Sequence, residues 1–410
     1  MSKISLILNI LLICVVYSCN YFSNKTNYKV IKIGDQIWMK ENLIEDKFRN
    51  GDLIPEAKTE GEWIAAAENE QPAWCYYDND PINGDKYGKL YNWFAVNDPR
   101  GLAPSGWHVP SYYEWYQLNN YLGKSDAGVK MKSNTGWLKK GNGTNESGFS
   151  GLPGGYRKYE RNLSGYSHGF FDIGNDGYWW SSTENFEGYP GSASYLGLNY
   201  RFTQVADCNG IKFFGMSVRC VKNTKNEVTI GNQVWMNKNL NVNKFQNGDL
   251  IPEANSTEKW NFAATNKQPA WCYYNKSSKY GKKYGKLYNW FAVNDSRGLA
   301  PLGWQVPSDK DWKKLIQNLG VSMAGSKIKS TNGWLKDGNG TNESGFSGLP
   351  GGVVDFYGVY FNIGEYATWW SSSEDGSNDA WFYGVSNIYD NMSRQGCSMR
   401  IGQSVRCIRY

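Results

Sequence analysis

The two halves of this chain repeat each other. Trp38 is answered by Trp235, Cys75 by Cys272, Trp107 by Trp304 and Gly155 by Gly352, each pair 197 residues apart. Residues 31–155 therefore align with 228–352 without a gap, and roughly two-thirds of those positions are identical. A solenoid unit spans only ~20–50 residues, so a repeat this long implies two complete domains, each with its own core. They occupy residues 28–222 and 227–410, joined by the short polar linker 223–226, which leaves little room for swing.

One stretch breaks the repeat. Residues 156–205 and 353–395 differ in length and chemistry and share only islands, such as Phe171-Asp172-Ile173-Gly174 against Phe361-Asn362-Ile363-Gly364 and Trp179-Trp180-Ser181-Ser182 against Trp369-Trp370-Ser371-Ser372. A fixed frame with one variable segment is how binding modules diversify. The plainer alternative is that surface loops drifted after duplication without any ligand.

The N-terminus points to export. Lys3 precedes an apolar run, Ile4–Val16, and Val16-Tyr17-Ser18-Cys19 resembles a bacterial lipobox. The run is shorter than the ~20 residues a membrane-spanning helix needs. Residues 1–18 are therefore expected to be a lipoprotein signal peptide, Cys19 the acylated residue and 19–27 a tether. The protein is then expected in the cell envelope, lipid-anchored, on the outer membrane of a Gram-negative bacterium. Charge argues against a nucleic-acid partner: the net +6 comes from 44 basic and 38 acidic residues that form no block,. Only two histidines are present, His108 and His168, and the second copy has neither. If both copies do the same chemistry, no histidine carries it.

Local pattern predicts an α+β domain. Ile33-Gly34-Asp35-Gln36 reads as a hairpin turn with glycine first, repeated at Ile230-Gly231-Asn232-Gln233,. Gly61–Asn69 is Ala-rich and expected to be helical, and Leu90, Trp93, Phe94 and Val96 suggest a second helix. The strongest helix start is Ser111, with Glu114 three residues on as a capping box, then the stripe Trp115, Leu118 and Leu122, then Gly123 as a stop,. Ser308, Asp311, Trp312, Leu315 and Leu319 repeat it. From residue 131 onward, strands and long glycine-rich connections are expected, with Met216–Val221 and Ser404–Ile408 as closing strands.

The phrases NGDLIPEA, QPAWCYY, YGKLYNWFAVND, GLAPSGWHVPS, NESGFSGLPGG, YWWSSTE and SVRC resemble the Fibrobacter succinogenes major paralogous domain, here in two copies that cover nearly all the mature chain. More remotely, Gly106–Ser111 with Glu114-Trp115, then Trp180-Ser181-Ser182, then Val218-Arg219-Cys220, resemble formylglycine-generating enzymes. That resemblance implies a C-type-lectin-like fold in each domain: a small, twisted, mostly antiparallel sheet, about two helices and long Gly- and aromatic-rich loops. Fold does not fix activity. The family occurs in secreted and lipid-anchored bacterial proteins and has no established biochemical role. The resemblance therefore implies a non-enzymatic surface protein that binds a protein or glycan partner through its variable loops. A copper-dependent oxidase of the formylglycine-generating kind and a structural envelope protein with no specific ligand are the alternatives.

Six cysteines stay in the domains, three per copy, and export favours disulfides,. Spacing alone does not choose the connectivity. Since Cys75 and Cys220, like Cys272 and Cys407, lie in family phrases, the resemblance favours Cys75–Cys220 and Cys272–Cys407 bridges. Each long loop closed would be worth roughly 4–5 kcal/mol in the chain-entropy picture. Cys208–Cys220 and Cys397–Cys407 are the local competitors; otherwise Cys208 and Cys397 are left over. Those local pairs could also mimic a two-cysteine copper site, but the active-site phrase of such oxidases is absent. The repeated segment Gly141–Gly148 offers oxygen ligands, so Asn145 and Glu146, with Asn342 and Glu343, are weak calcium candidates. The other reading is a turn whose Asn and Ser side chains bond their own backbone. Tryptophans identical in both copies read as core. The aromatics that differ, Tyr156, Tyr159, Tyr166, Tyr178, Tyr189, Tyr195, Tyr357, Tyr360, Trp381 and Tyr383, are the ligand-loop candidates.

Overall fold

The computed structural model describes residues 28–162, 165–184 and 191–409. Residues 1–27, with the expected export segment, Cys19 and the expected tether, lie outside the described residues. Among those described, no helix is long and apolar enough to cross a membrane.

Each domain is zipped shut by its two ends. In the first, Val30–Ile33 and Gln36–Met39 form an antiparallel hairpin around Gly34, whose φ of 60° favours glycine,. Trp38 then pairs with Val221, and Val221 with His108. The sheet order is Val30–Ile33, Gln36–Met39, Val221–Lys222, Trp107–His108. Glu227–Ile230, Gln233–Met236, Ile408–Arg409 and Trp304–Gln305 repeat it in the second domain. A two-stranded pair recurs in the frame, Trp74–Cys75 with Leu90–Tyr91 and Trp271–Cys272 with Leu287–Tyr288. The variable segments build most of the remaining strands, and there the domains differ. The first has five strands in the order Ala206–Ile211, Ser192–Asn199, Asp176–Glu184, Gly154–Asn162, Gly165–Ile173, antiparallel apart from one parallel pairing at Gly155–Gly177. In the second, Tyr366–Glu374, Asp379–Ser386 and Ser393–Ser398 stand apart from a two-residue pair, Val353–Val354 with Tyr360–Phe361.

The capping signals act as read. Ser111 Oγ accepts from the Glu114 amide, and the Glu114 carboxylate accepts from the Ser111 amide at 3.0 Å, starting the helix Tyr112–Leu122. Gly123 ends it in the left-handed conformation, and Trp115, Leu118 and Leu122 are buried. Ser308 and Asp311 do the same for Asp309–Leu319. Thr59 and Glu62 form a further box on Glu60–Glu68. The expected helix over Leu90–Val96 is instead a two-residue strand, Leu90–Tyr91, and a single turn, Trp93–Val96. Asn92 separates them, because its Oδ1 accepts from the amides of both Ala73 and Ala95 at 3.0 Å. The expected strand from Met216 is continuous only at Val221–Lys222; Met216 and Ser217 make single bridges to Tyr91 and Trp179.

The two domains touch through unlike surfaces. Arg49 Nη1 donates to Gly231 O at 3.0 Å, and Asn232 Nδ2 donates to Asn97 O and Oδ1 at 2.7 and 2.6 Å. A Cβ on Gly101 would lie 2.8 Å from Gly231 O, so glycine permits this approach. Beside it, His108 Nε2 lies 2.8 Å from Glu114 Oε1, and His108 Nδ1 lies 2.7 Å from Asn223 Oδ1 in the linker. Arg409 of the second domain reaches Glu114 Oε1 at 3.4 Å and also pairs with Glu227. Burial alone would push the Glu114 pKa up, but the charges of His108 and Arg409 outweigh it and hold the carboxyl at about 2,. Gln305 takes the place of His108 in the second copy and is exposed. His108 thus holds Glu114 and the linker residue Asn223 beside the domain contact.

Candidate functional site

One place where the variable segments meet the frame is the outer side of an Ala-rich helix. In the first domain this is Glu60–Glu68, which buries Trp63 and Ala67; in the second it is Thr257–Thr265, which buries Trp260, Ala263 and Ala264. The equivalent tryptophans are tied to different segments. Trp63 Nε1 donates to Phe213 O at 3.0 Å, whereas Trp260 Nε1 donates to Asp355 O at 2.7 Å.

In the first domain the long Gly154–Ile173 hairpin lies against this helix. Arg157 runs beneath it, its guanidinium 4.7 Å from the Trp63 ring and 4.9 Å from the Phe170 ring. It donates to Ala57 O and Asn79 Oδ1 at 3.2 Å and to Thr59 O at 3.0 Å, which ties it to the frame. His168 Nδ1 faces Glu60 Oε1 at 2.8 Å across the mouth. Between them is a cavity of about 170 Å³ with charged walls, Glu60, Arg157, Lys158 and His168.

In the second domain the hairpin shrinks to a turn. Asp355 Oδ1 accepts from the amides of Tyr357 and Val359 at 2.9 and 2.8 Å. This turn holds Tyr357 out in solvent, 59% exposed, near Phe262, 60% exposed. The two rings line an open groove of about 470 Å³ with Thr257, Glu258, Asn261 and Thr265. The same place on the frame thus carries a small charged cavity in one domain and a broad aromatic and amide groove in the other.

Most of the expected ligand aromatics do something else. They sit on strands, and alternate strand residues pack inward. Tyr159 is buried and donates to Glu68 Oε1 at 2.7 Å. Tyr383 is buried against Trp312 and donates to Asp309 Oδ1 at 2.8 Å. Tyr156, Tyr178 and Tyr195 form one part-buried aromatic chain, and the Tyr178 hydroxyl donates to Asp176 Oδ2 at 2.7 Å. Tyr360 packs on Tyr274, and Trp381 lies under the Arg394 guanidinium at 3.2 Å. Tyr357 alone among the described candidates is mostly exposed, with one side of its ring against Phe356 at 3.9 Å. The side chain of Tyr166 and the whole of Tyr189 lie outside the described residues. Phe262 was missed, because helix Thr257–Thr265 looks like frame in the repeat; its replacement of Ala65 is the signal that was there.

The cysteine expectation is corrected. Cys75, Cys208, Cys220, Cys272, Cys397 and Cys407 are all free thiols, so neither the long bridges nor the local clips form. The reason is packing: Cys75 belongs to a cluster with Trp63 and Tyr77, and Cys220 to another with Trp180 and Val218. Burial pushes the thiol of Cys75 up to about 11 and those of Cys272, Cys397 and Cys407 up to about 12. Burial raises Cys220 as well, and Cys208 is raised by burial while it bonds the Tyr195 hydroxyl. Neutral thiols are weak nucleophiles and weak metal ligands.

The calcium candidates sit in a turn. Asn145 has a φ of 55°, its Oδ1 accepts from the Ser150 amide at 2.8 Å, and its Nδ2 donates to Ser150 Oγ at 3.0 Å. Asn342 brackets Ser347 with the same two distances. The amide oxygens are committed to closing a turn, and Glu146 and Glu343 are exposed beside it. Among the described residues no group of three His, Cys, Asp or Glu converges as a metal site.

With this geometry in view, the comparisons give one finding. The model of the Fibrobacter succinogenes major domain matches residues 31–222 and again 228–409. No curated protein and no solved structure matches the chain.

Proposed function

The chain belongs to the Fibrobacter succinogenes major domain family, with two copies in tandem, and from that premise we propose that it is a non-enzymatic binding protein of the bacterial envelope. Acylated Cys19 anchors it to the outer membrane, and each domain presents its own ligand groove at one shared place. The lectin-like assignment belongs to the same proposal; short antiparallel sheets, two longer helices per domain and long glycine-rich connections support it. The observation that carries the reading is the pair of exposed rings, Tyr357 and Phe262, flanking Asn261, Thr257 and Glu258. Sugar C–H faces pack on aromatic rings, while amide, hydroxyl and carboxylate groups satisfy sugar hydroxyls. The second domain is therefore the glycan-binding one.

A glycan array probed with the full chain tests this directly. Binding should fall at least tenfold in Tyr357→Ala with Phe262→Ala, both on exposed side chains that the core does not need. An array with no binder, or binding that survives the double substitution, rejects the proposal.

A further inference from the structure

The contact between the domains uses different patches on each. The first domain contributes the Asn97–Gly101 loop with Arg49 and Glu114; the second contributes the Gly231–Asn232 turn with Arg409. Such a contact is heterologous and leaves one patch of each kind uncovered. By the internal repeat, the uncovered loop is Asn294–Gly298 with Asp311 in the second domain, and the uncovered turn is Gly34–Asp35 with Lys222 in the first. Asn294, Asp35 and Lys222 are exposed, whereas Gly101 and Glu114 in the used patch are buried.

We propose that these two open patches bind each other between chains, so that the protein self-associates head to tail, the Gly34–Asp35 turn of one copy seated on the Asn294–Gly298 loop of the next. Three features of the contact inside the chain persist. The bare glycine pair is kept, since Gly298 and Gly34 have φ of 77° and 60°, against 81° and 60° for Gly101 and Gly231. The amide bond is kept with its direction reversed: Asp35 replaces Asn232, so the Asn294 amide donates to the carboxylate. The opposite charges are kept, with Lys222 and Asp311 in the places of Arg409 and Glu114.

Several features change. Gln117 stands where Lys314 reached Asn97 Oδ1 at 3.4 Å, and Lys310 stands where the Tyr113 ring packs on Gly303. Gln246 stands where Arg49 stood, and its amide is already given to Ala300 O at 2.7 Å. Tyr121 stands where Asn318 stood; it lies along the turn, 3.1 Å from where a Gly34 Cβ would be, and is 68% exposed. Docking covers that ring. The contact between chains thus lacks the arginine bond and is the weaker, reversible one. Because a heterologous contact of this kind need not close, copies add in one direction as a string.

The test mixes unlabelled and heavy-nitrogen full-length chains and treats them with a zero-length carbodiimide cross-linker. The expected product is a Lys222–Asp311 cross-link with one light and one heavy peptide, beside a sedimentation mass that rises with concentration. Lys222→Glu and Tyr121→Ala should each weaken association about tenfold, a ~1.4 kcal/mol effect. Lys140→Glu, the same charge change at an exposed site outside both patches, should leave it unchanged. A single-chain mass at every concentration overturns the proposal. So does a mixed cross-link at other residues only, or association indifferent to Lys222→Glu and Tyr121→Ala, which would point to a different contact or partner.

Discussion

Arg219 gives two donors to one atom: its Nε and Nη2 lie 3.1 and 2.7 Å from Asn42 Oδ1. Its Nη1 goes to the Phe149 carbonyl, and the guanidinium stacks 4.2 Å from the Phe149 ring. All its hydrogen-bond partners are neutral. Burial lowers the Arg219 pKa to about 9, which leaves it charged at neutral pH. Trp179 Nε1 donates to the same Asn42 oxygen at 2.8 Å. The second domain repeats the arrangement with Arg406, Asn239, Phe346 and Trp369. A buried cation, an amide and two rings thus tie the start, middle and end of each domain together.

Asn42→Ala strands that guanidinium and an indole N–H without their acceptor. The first domain should lose about 3 kcal/mol or more. Asn239→Ala should do the same to the second domain alone. Urea unfolding followed by tryptophan fluorescence checks both; losses below about 1 kcal/mol would show that the oxygen is not the anchor.

Acid should weaken the domain contact. Glu114 has a folded pKa of about 2 against an ordinary value of 4.5. A depressed carboxyl contributes its stability fully above the unfolded value and loses it as pH falls from about 4.5 toward 2,. The groups facing it are His108 and Ser111 on its own domain and Arg409 on the other, itself paired with Glu227. The size is roughly 3 kcal/mol. Glu114→Gln should flatten the stability profile across that window; an unchanged slope would rule out Glu114 as its source.

Gly101→Ala should undock the domains. The added Cβ meets Gly231 O at 2.8 Å, and the φ of 81° adds local strain. Gly298→Ala, with a φ of 77°, carries similar strain but no neighbour in the other domain. Small-angle scattering should show a larger radius of gyration for the first and not the second. Equal profiles would mean the contact tolerates the methyl group.

All six domain cysteines should alkylate in denaturant without any reductant. In the native protein Cys75, Cys220, Cys272 and Cys407 should react slowest, being buried. Peptide mapping reads this out. Four or fewer modified cysteines in denaturant would restore the bridge that the resemblance favours.

What could be read from the sequence was what neighbours decide. Ser111 with Glu114, Ser308 with Asp311 and Gly34 in its turn are local devices, and each acts as its spacing says. The 197-residue offset likewise put the opening hairpin and the Trp107 strand in both domains. The contact of Glu114 with Arg409 was hidden, because it depends on how two domains dock and capping alone accounts for Glu114. Arg219 was hidden for the opposite reason: arginine is seldom buried, and the SVRC phrase reads only as part of a closing strand. The tyrosines were misplaced because a variable segment looks like loop, whereas Gly154–Ile173 is a long hairpin whose inward residues pack.

Asn42 and Arg219 are 177 residues apart, and the closing strand of each domain pairs with its opening hairpin. A ribosome making this chain therefore cannot release a finished first domain until residue 222 has emerged, with the second domain already begun. Contacts of such range make folding slow and leave apolar edges open meanwhile. A chain cut short anywhere before Arg219 would be an open sheet looking for a strand.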